Sequence, residues 1–203
     1  MTSRPTPTII DDAISTLSRT RWNILDAPDH VPSMPGLYAI YGDEQSWVDL
    51  DLNLDLQPAT PLYIGKAEDS LATRDLRGHF AIDPMSPPRT GGSTVRRSFA
   101  ALLRETLNLH AVPRNLAKPE RFASFGLAAG GDARLNDWMH EHLSLAIWVA
   151  PSDRSWTLKD VETATIIRLR PMLNIAGNPR KLPQLQRARA VMAAEAKSWA
   201  DSR

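Results

Sequence analysis

The sequence has no cysteine among its 203 residues. That excludes a disulfide framework, a thiolate zinc site, an iron–sulfur cluster and a cysteine nucleophile. It agrees with a reducing compartment. No apolar run approaches the roughly 18 residues that would span a membrane. Residues Met1 to Ile10 carry one arginine and no apolar core, so they do not read as a signal peptide. A cytoplasmic protein without a membrane partner is therefore expected. Net charge is also nearly absent, at +1. Tyrosine is scarce, with three in the whole chain. What remains is ordinary for a globular protein: 42% apolar and 23% charged residues, which excludes full disorder and a collagen-like chain. The length fits one domain with a core large enough to fold without a covalent or metal staple.

The small net charge hides an uneven distribution. Residues 1–70 hold 4 basic against 11 acidic side chains, whereas residues 163–203 hold 8 against 2. Residues 71–114 are also basic, with 7 against 3. Two separated basic segments can meet on one face and attract a polyanion, or can be no more than solvated helix surfaces.

Periodicity gives the elements. A helical pattern covers 7–18, and a loop follows at 26–35. Gly36-Leu37-Tyr38-Ala39-Ile40-Tyr41-Gly42 is an apolar run bounded by glycines and reads as a buried strand. Pro61-Leu62-Tyr63-Ile64-Gly65 reads as a second strand, with punctuation at both ends. Between them, Val48 to Leu56 alternates strictly and fits a strand, and a short helix from Asp43 through Trp47 fits equally well. Helices are predicted over 70–81, 95–107 and 134–143, with loops at 84–94 and 111–133. A third strand is predicted at 145–150. The clearest helix is 157–170, where Leu158, Val161, Thr165 and Leu169 share a face, Thr157 and Asp160 form a capping box, and Pro171 ends it. A basic helix follows at 182–199. This order describes a small α+β sandwich rather than a doubly wound sheet.

Three groups of residues bear on chemistry. All three tyrosines lie in the first two strands, where they serve either as core packing or as hydroxyls aimed at one point. Gly65-Lys66-Ala67 leads into a segment carrying Arg74, Arg77 and His79. Arginines three apart share a helix face, and each offers a planar fork suited to phosphate. Glu162 sits at the border of the apolar stripe of the 157–170 helix, with Asn174 twelve residues on. A carboxylate there suits either a divalent cation or a surface ion pair. Two further patterns are set aside. Asp49, Asp51, Asn53 and Asp55 mimic the start of a calcium loop, but Leu54 and Thr60 stand where glycine and glutamate are required. His140-Glu141-His142 puts its histidines two apart, which do not face together on a helix.

Together, Gly-Leu-Tyr, then Leu-Tyr-Ile-Gly-Lys-Ala, then Leu-x-x-Arg, then Glu with Asn twelve on, resemble the GIY-YIG nuclease family over about residues 34–176. The resemblance implies an α+β fold, a three-stranded antiparallel sheet flanked by helices. It implies insertions at 43–60 and 84–133, an N-terminal helix and loop over 1–33, and a basic C-terminal helix over 177–203. It implies that Tyr38 and Tyr63 position and deprotonate the attacking water, and that Lys66 and Arg74 supply a cationic field. Glu162 would bind one Mg²⁺ or Mn²⁺, and Asn174 would brace the site. Arg74 lies eleven residues after Tyr63 and His79 five after Arg74, each one more than the commonest family spacing. That leaves Arg77 as a replacement for Arg74.

The implied activity is metal-dependent hydrolysis of DNA, with a restriction or defence role favoured over repair or mobility. The alternatives are a non-catalytic nucleic-acid-binding module on the same fold and a protein-interaction domain. Arg96 and Arg97, at a helix start, and Arg180, Lys181, Arg187 and Arg189 are the candidate contacts to the DNA backbone. A single site nicks one strand, so cutting both calls for a homodimer or a second encounter.

Overall fold

The structure is a computed structural model that describes residues 3–57, 59–82, 89–115, 117–118 and 120–202. Helix α1 (Pro7–Arg19) opens the chain, capped by Thr6 with proline at its first position, and strand β1 (Trp22–Asn23) follows. Strand β2 (Gly36–Gly42) matches the sequence expectation residue for residue. The ambiguous stretch after it resolves into helix α2 (Glu44–Asp49), capped by Asp43, and a 3-10 turn at Leu54–Leu56. The alternation there does not make a strand. Leu54 and Leu56 are exposed, and Asn53 caps the turn instead of extending the chain.

Strand β3 (Tyr63–Ala67) starts two residues later than expected and runs through Gly65 instead of stopping at it. Helix α3 (Thr94–Leu102) is capped by Ser93. Short strands β4 (Ala111–Val112) and β5 (Gly126–Leu127) pair as a ribbon within the segment expected to be irregular. Helix α4 (Gly131–His142), strand β6 (Leu143–Val149), helix α5 (Leu158–Leu169) and helix α6 (Pro183–Asp201) complete the chain. The 84–94 loop falls partly on residues 83–88, outside the described residues.

The main sheet has the order β1-β6-β2-β3 with antiparallel pairing throughout. It therefore has four strands among the described residues, not three, because Trp22–Asn23 adds a short edge beside β6. Side chains alternate across it. Leu37, Ala39 and Tyr41 face α1 and α5, packing with Ala13, Leu17, Leu158 and Val161. Tyr38 and Ile40 face the larger layer, with Phe99, Met139, Leu185 and Met192. Burying Leu185 and Met192 contributes about 1.5–3 kcal/mol each before side-chain ordering is counted. Thus α6 is part of the core, although its exposed face is basic.

The segment predicted as a helix over 70–81 is a π-helix, Ala72–His79. The amide of Phe80 donates to the carbonyl of Asp75 at 2.9 Å, five residues back. An α-helix acquires such a turn when one extra residue is accommodated without breaking it. The additional residue noted between Arg74 and His79 is absorbed in this way. In this geometry residues five apart stand on one face, so Arg74 aligns with His79. The i, i+3 pairing of Arg74 with Arg77 expected from an α-helix does not apply.

Candidate active site

Strand β3 is the free edge of the sheet, and the cleft lies along it. Its backbone at Ile64 is closed off by Asn174. The Asn174 side chain accepts from the Ile64 amide at 2.8 Å and donates to the Ile64 carbonyl at 2.8 Å. One amide side chain thus does what a neighbouring strand would do, and fixes the residues on either side of Ile64. Asn174 is itself 5% exposed.

Tyr38 on β2 lies opposite Gly65 on β3. A Cβ at residue 65 would fall 2.3 Å from the Tyr38 hydroxyl. Glycine is required there because the phenol ring crosses the strand, which explains why this glycine sits inside the strand and not at its end. Tyr38 and Tyr63 stack with ring centroids 6.2 Å apart. The Tyr38 hydroxyl lies 2.8 Å from His79 Nε2, and His79 Nδ1 lies 2.8 Å from Ser93 Oγ. Ser93 Oγ also accepts the Arg96 amide at the start of α3. Nothing in the sequence pattern singled out Ser93, because its link to His79 joins residues fourteen apart in the chain.

Tyr38, Tyr63, Lys66, Arg74 and Glu162 line one cleft of about 520 Å³, together with Gly65 and the loop carrying Glu68 and Asp69. Arg77 is exposed outside this lining, so the structure brings Arg74, not Arg77, to the tyrosines. Glu162 is half-buried and also lines a second, adjoining cleft with Tyr63, Thr94 and Asn174. Its carboxylate has no hydrogen-bond or ion-pair partner among the described residues. Lys66 pairs with Glu68.

The electrostatics divide the site. Burial pushes the Tyr38 phenol well above its usual range, with the Tyr63 and Asp75 charges adding to the rise and Arg74 opposing it. Burial and the Glu162 charge raise Tyr63 to about 12, against the pull of Arg74, Arg189 and Arg97. Burial lowers His79 to about 3, helped by Arg74 and Arg96, so its ring is neutral in the ordinary pH range. Burial also lifts the Glu162 carboxyl above its normal value, although Lys66 and Arg74 pull it down.

The basic residues expected to meet DNA separate into two kinds. Arg96 is fully buried and cannot reach a phosphate. Its guanidinium donates to the His79 carbonyl at 2.8 Å, to Asn136 Oδ1 at 2.9 Å and to Asp132 through both its carbonyl and its carboxylate. It is a strut inside the fold. Arg97 is 9% exposed and lies beside Tyr63 and Arg189. Arg180, Lys181 and Arg187 are exposed, and Arg189 is half-buried near Tyr63. Of the motifs set aside, His140 bonds to the Phe80 carbonyl and His142 to Asp43, while Asp49 accepts from the Trp138 indole. All three are committed to structure.

An antiparallel sheet that gathers two phenols, two cations and one unpartnered carboxylate at its edge defines an α+β domain suited to a polyanionic substrate. The sequence matches the GIY-YIG catalytic domain over residues 36–191, and the chain belongs to the GIY-YIG nuclease family. No curated protein and no solved structure is significantly similar to it. No helix among the described residues is long and apolar enough to cross a membrane.

Proposed function

We propose that the protein is a divalent-metal-dependent DNA endonuclease, and that the cleft along β3 is its active site. The observation that supports this most directly is the convergence of Tyr38, Tyr63, Lys66, Arg74 and Glu162 on one cleft, with the family membership of the domain. Arg74 and Lys66 hold the scissile phosphate by charge-assisted bonds. Tyr63 orients the attacking water. Tyr38, as its phenolate, takes the water's proton and becomes the phenol, while neutral His79, held by Ser93, orients its oxygen. The cation field of Arg74 favours the phenolate that this step consumes, against the burial that raises the phenol. Asn174 keeps Tyr63 and Gly65 in register.

The unpartnered Glu162 carboxylate fits an Mg²⁺ or Mn²⁺ ion that keeps most of its waters, since one carboxylate serves such a site. When bound, the ion stabilises charge on the leaving oxygen. The restriction or defence role belongs to the same proposal, as does the division into an N-terminal segment, a catalytic domain and a basic C-terminal helix.

The test is incubation of wild type and Glu162→Ala with supercoiled plasmid, branched DNA and single-stranded DNA, in Mg²⁺, Mn²⁺ or EDTA. Cleavage that requires the metal and disappears in Glu162→Ala is expected. Product ends at fixed sequences are the sign of a restriction role. Salt-sensitive binding without cleavage of any substrate would replace the enzyme with a nucleic-acid-binding module on this fold.

A further inference from the structure

Tyr63 has unlike surroundings on its two sides. Toward the first cleft it meets Arg74 and the Glu162 carboxylate. Away from it, three arginines converge from three separate elements. Arg97 on α3 donates from one terminal nitrogen to the Gly91 carbonyl at 2.7 Å and from the other to Thr94 Oγ1 at 3.1 Å. Its Nε is buried with no partner. Arg114, from the loop after β4, lies against the same Gly91, where a Cβ would fall 2.6 Å from its Cγ. Arg189 on α6 lies close by, since both it and Arg97 pull on the Tyr63 phenol and its charge bears on Arg97.

None of the three has an acidic partner among the described residues. Elsewhere Arg96 has Asp132, Arg104 has Glu195 and Arg168 has Asp11, while Arg134 is satisfied by the Leu107 and Asn108 carbonyls. Holding three uncompensated guanidinium groups together, one of them nine-tenths buried, costs free energy unless an anion joins them. Thr94, which anchors Arg97, lines the cleft that adjoins the first one across Tyr63 and Glu162. The cluster is therefore continuous with the site where the cut is made.

We propose that Arg97, Arg114 and Arg189 form a second phosphate site, which takes the phosphodiester next to the scissile one on the cleaved DNA strand. This rests on the endonuclease reading. Arg97 is the fixed member, with its fork set by Gly91 and Thr94. Arg114 and Arg189 close on the phosphate from the surface. Anchoring the neighbouring phosphate fixes the strand on both sides of Tyr63, so the scissile group cannot pivot away from Arg74.

The test measures binding of a fluorescein-labelled duplex oligonucleotide in EDTA across a series of salt concentrations. The proteins are wild type, Arg114→Gln/Arg189→Gln, and Lys197→Gln, which alters an exposed cation further along α6 that pairs with Asp201. Melting curves check that the variants, altered only at exposed or half-buried side chains, remain folded. Losing one phosphate contact makes the slope of log K against log salt shallower by about 0.9, with affinity about tenfold weaker at low salt. That result is expected for the double variant, with Lys197→Gln close to wild type. Plasmid cleavage in Mg²⁺ by the double variant should show a raised KM and a lowered kcat, since affinity and positioning are both lost.

An unchanged slope in the double variant, with cleavage intact, would overturn the second site and leave the endonuclease reading standing. An equal loss in Lys197→Gln would also overturn it, by showing only diffuse attraction to a basic helix. Binding that depends on the arginine pair, with no cleavage under any metal, would support the site and remove the catalytic reading. No binding and no cleavage by wild type would remove both.

Discussion

Replacing Arg96 tests whether the interior of the domain holds the site in place. The Arg96→Met variant keeps a long side chain but removes every donor. Its loss strips partners from the His79 carbonyl and from Asn136, both buried, and from the Asp132 carboxylate. The Asp132 side chain is 28% exposed, so its charge rehydrates in part and the ion pair is discounted accordingly. Each buried acceptor left without a donor costs about 1–3 kcal/mol. Breaking a buried charged network by removing one member costs about 3–5 kcal/mol. The two routes agree on about 4 kcal/mol. For a chain of this size each kcal/mol moves the midpoint by about 2–4 °C, so thermal melting should show a drop of about 8–16 °C.

Activity adds a second readout. Arg96 bonds the backbone of the residue whose ring meets Tyr38, so plasmid cleavage should fall by about 10–100-fold even where the variant is fully folded, as expected when a catalytic group drifts by a fraction of an ångström. Arg96→Lys should recover little, because an ammonium cannot reproduce the fork. A midpoint within about 2 °C of wild type would refute the argument, since it would mean that desolvation of the guanidinium cancels what its bonds contribute.

Two other outcomes follow from the titrating groups. Cleavage should increase with pH from the acid side through neutrality. Glu162 must lose its proton to serve a cation and its carboxyl is shifted upward, while both phenols are shifted upward and gain phenolate only as pH rises. His79, at about 3, adds no inflection near the ordinary histidine value of about 6.5, and a rate profile with a limb there would contradict a neutral ring. Asp75 is fully buried with both carboxylate oxygens unpartnered, and burial raises its carboxyl well above the usual range. A group whose folded value is raised contributes stability at low pH and loses it as pH climbs through that value. Asp75→Asn should therefore raise the melting midpoint above neutrality and leave it nearly unchanged below about pH 4, where the unfolded carboxyl is also protonated. A gain of equal size at both pH values would show that charge is not the cause.

What the sequence made legible is the part governed by local rules. β2 lies between two glycines, α5 begins at a capping threonine and ends before Pro171, and α1 starts at a capped proline, all set by residues within a turn of the boundary. Tyr38, Tyr63, Lys66, Arg74, His79, Glu162 and Asn174 could be read as neighbours only through the resemblance, because four elements and the loop after α5 carry them. What could not be seen depends on partners distant in the chain. Gly65 reads as a strand end until the ring of Tyr38 is known to cross it. Arg96 and Arg97 are adjacent, at a helix start where both look available to phosphate. Yet one points into α4 and is spent on the fold, while the other turns toward Tyr63. Helix geometry separates neighbours by about 100°, so adjacency in sequence placed them on different faces from the outset.

The spacing anomaly shows how the fold protects chemistry from an insertion. An extra residue in a regular α-helix would rotate everything after it by that same 100°, carrying His79 away from Tyr38. Here the hydrogen-bond ladder widens to i→i+5, and the rotation is taken up inside the segment. His79 then keeps Tyr38 on one nitrogen and Ser93 on the other. The widened turn also encloses Asp75 without a partner. The unfavourable burial of that carboxyl and the alignment of Arg74 with His79 are thus two consequences of one added residue. Only the first is a cost to stability, whereas the second keeps the His79 ring on the Tyr38 hydroxyl. Deleting Asp75 should accordingly heal the segment toward an α-helix with Arg and His four apart, and circular dichroism with plasmid cleavage would show a domain at least as stable and still active. Loss of folding on that deletion would mean that the π-helix is imposed by the surrounding packing instead of by the extra residue.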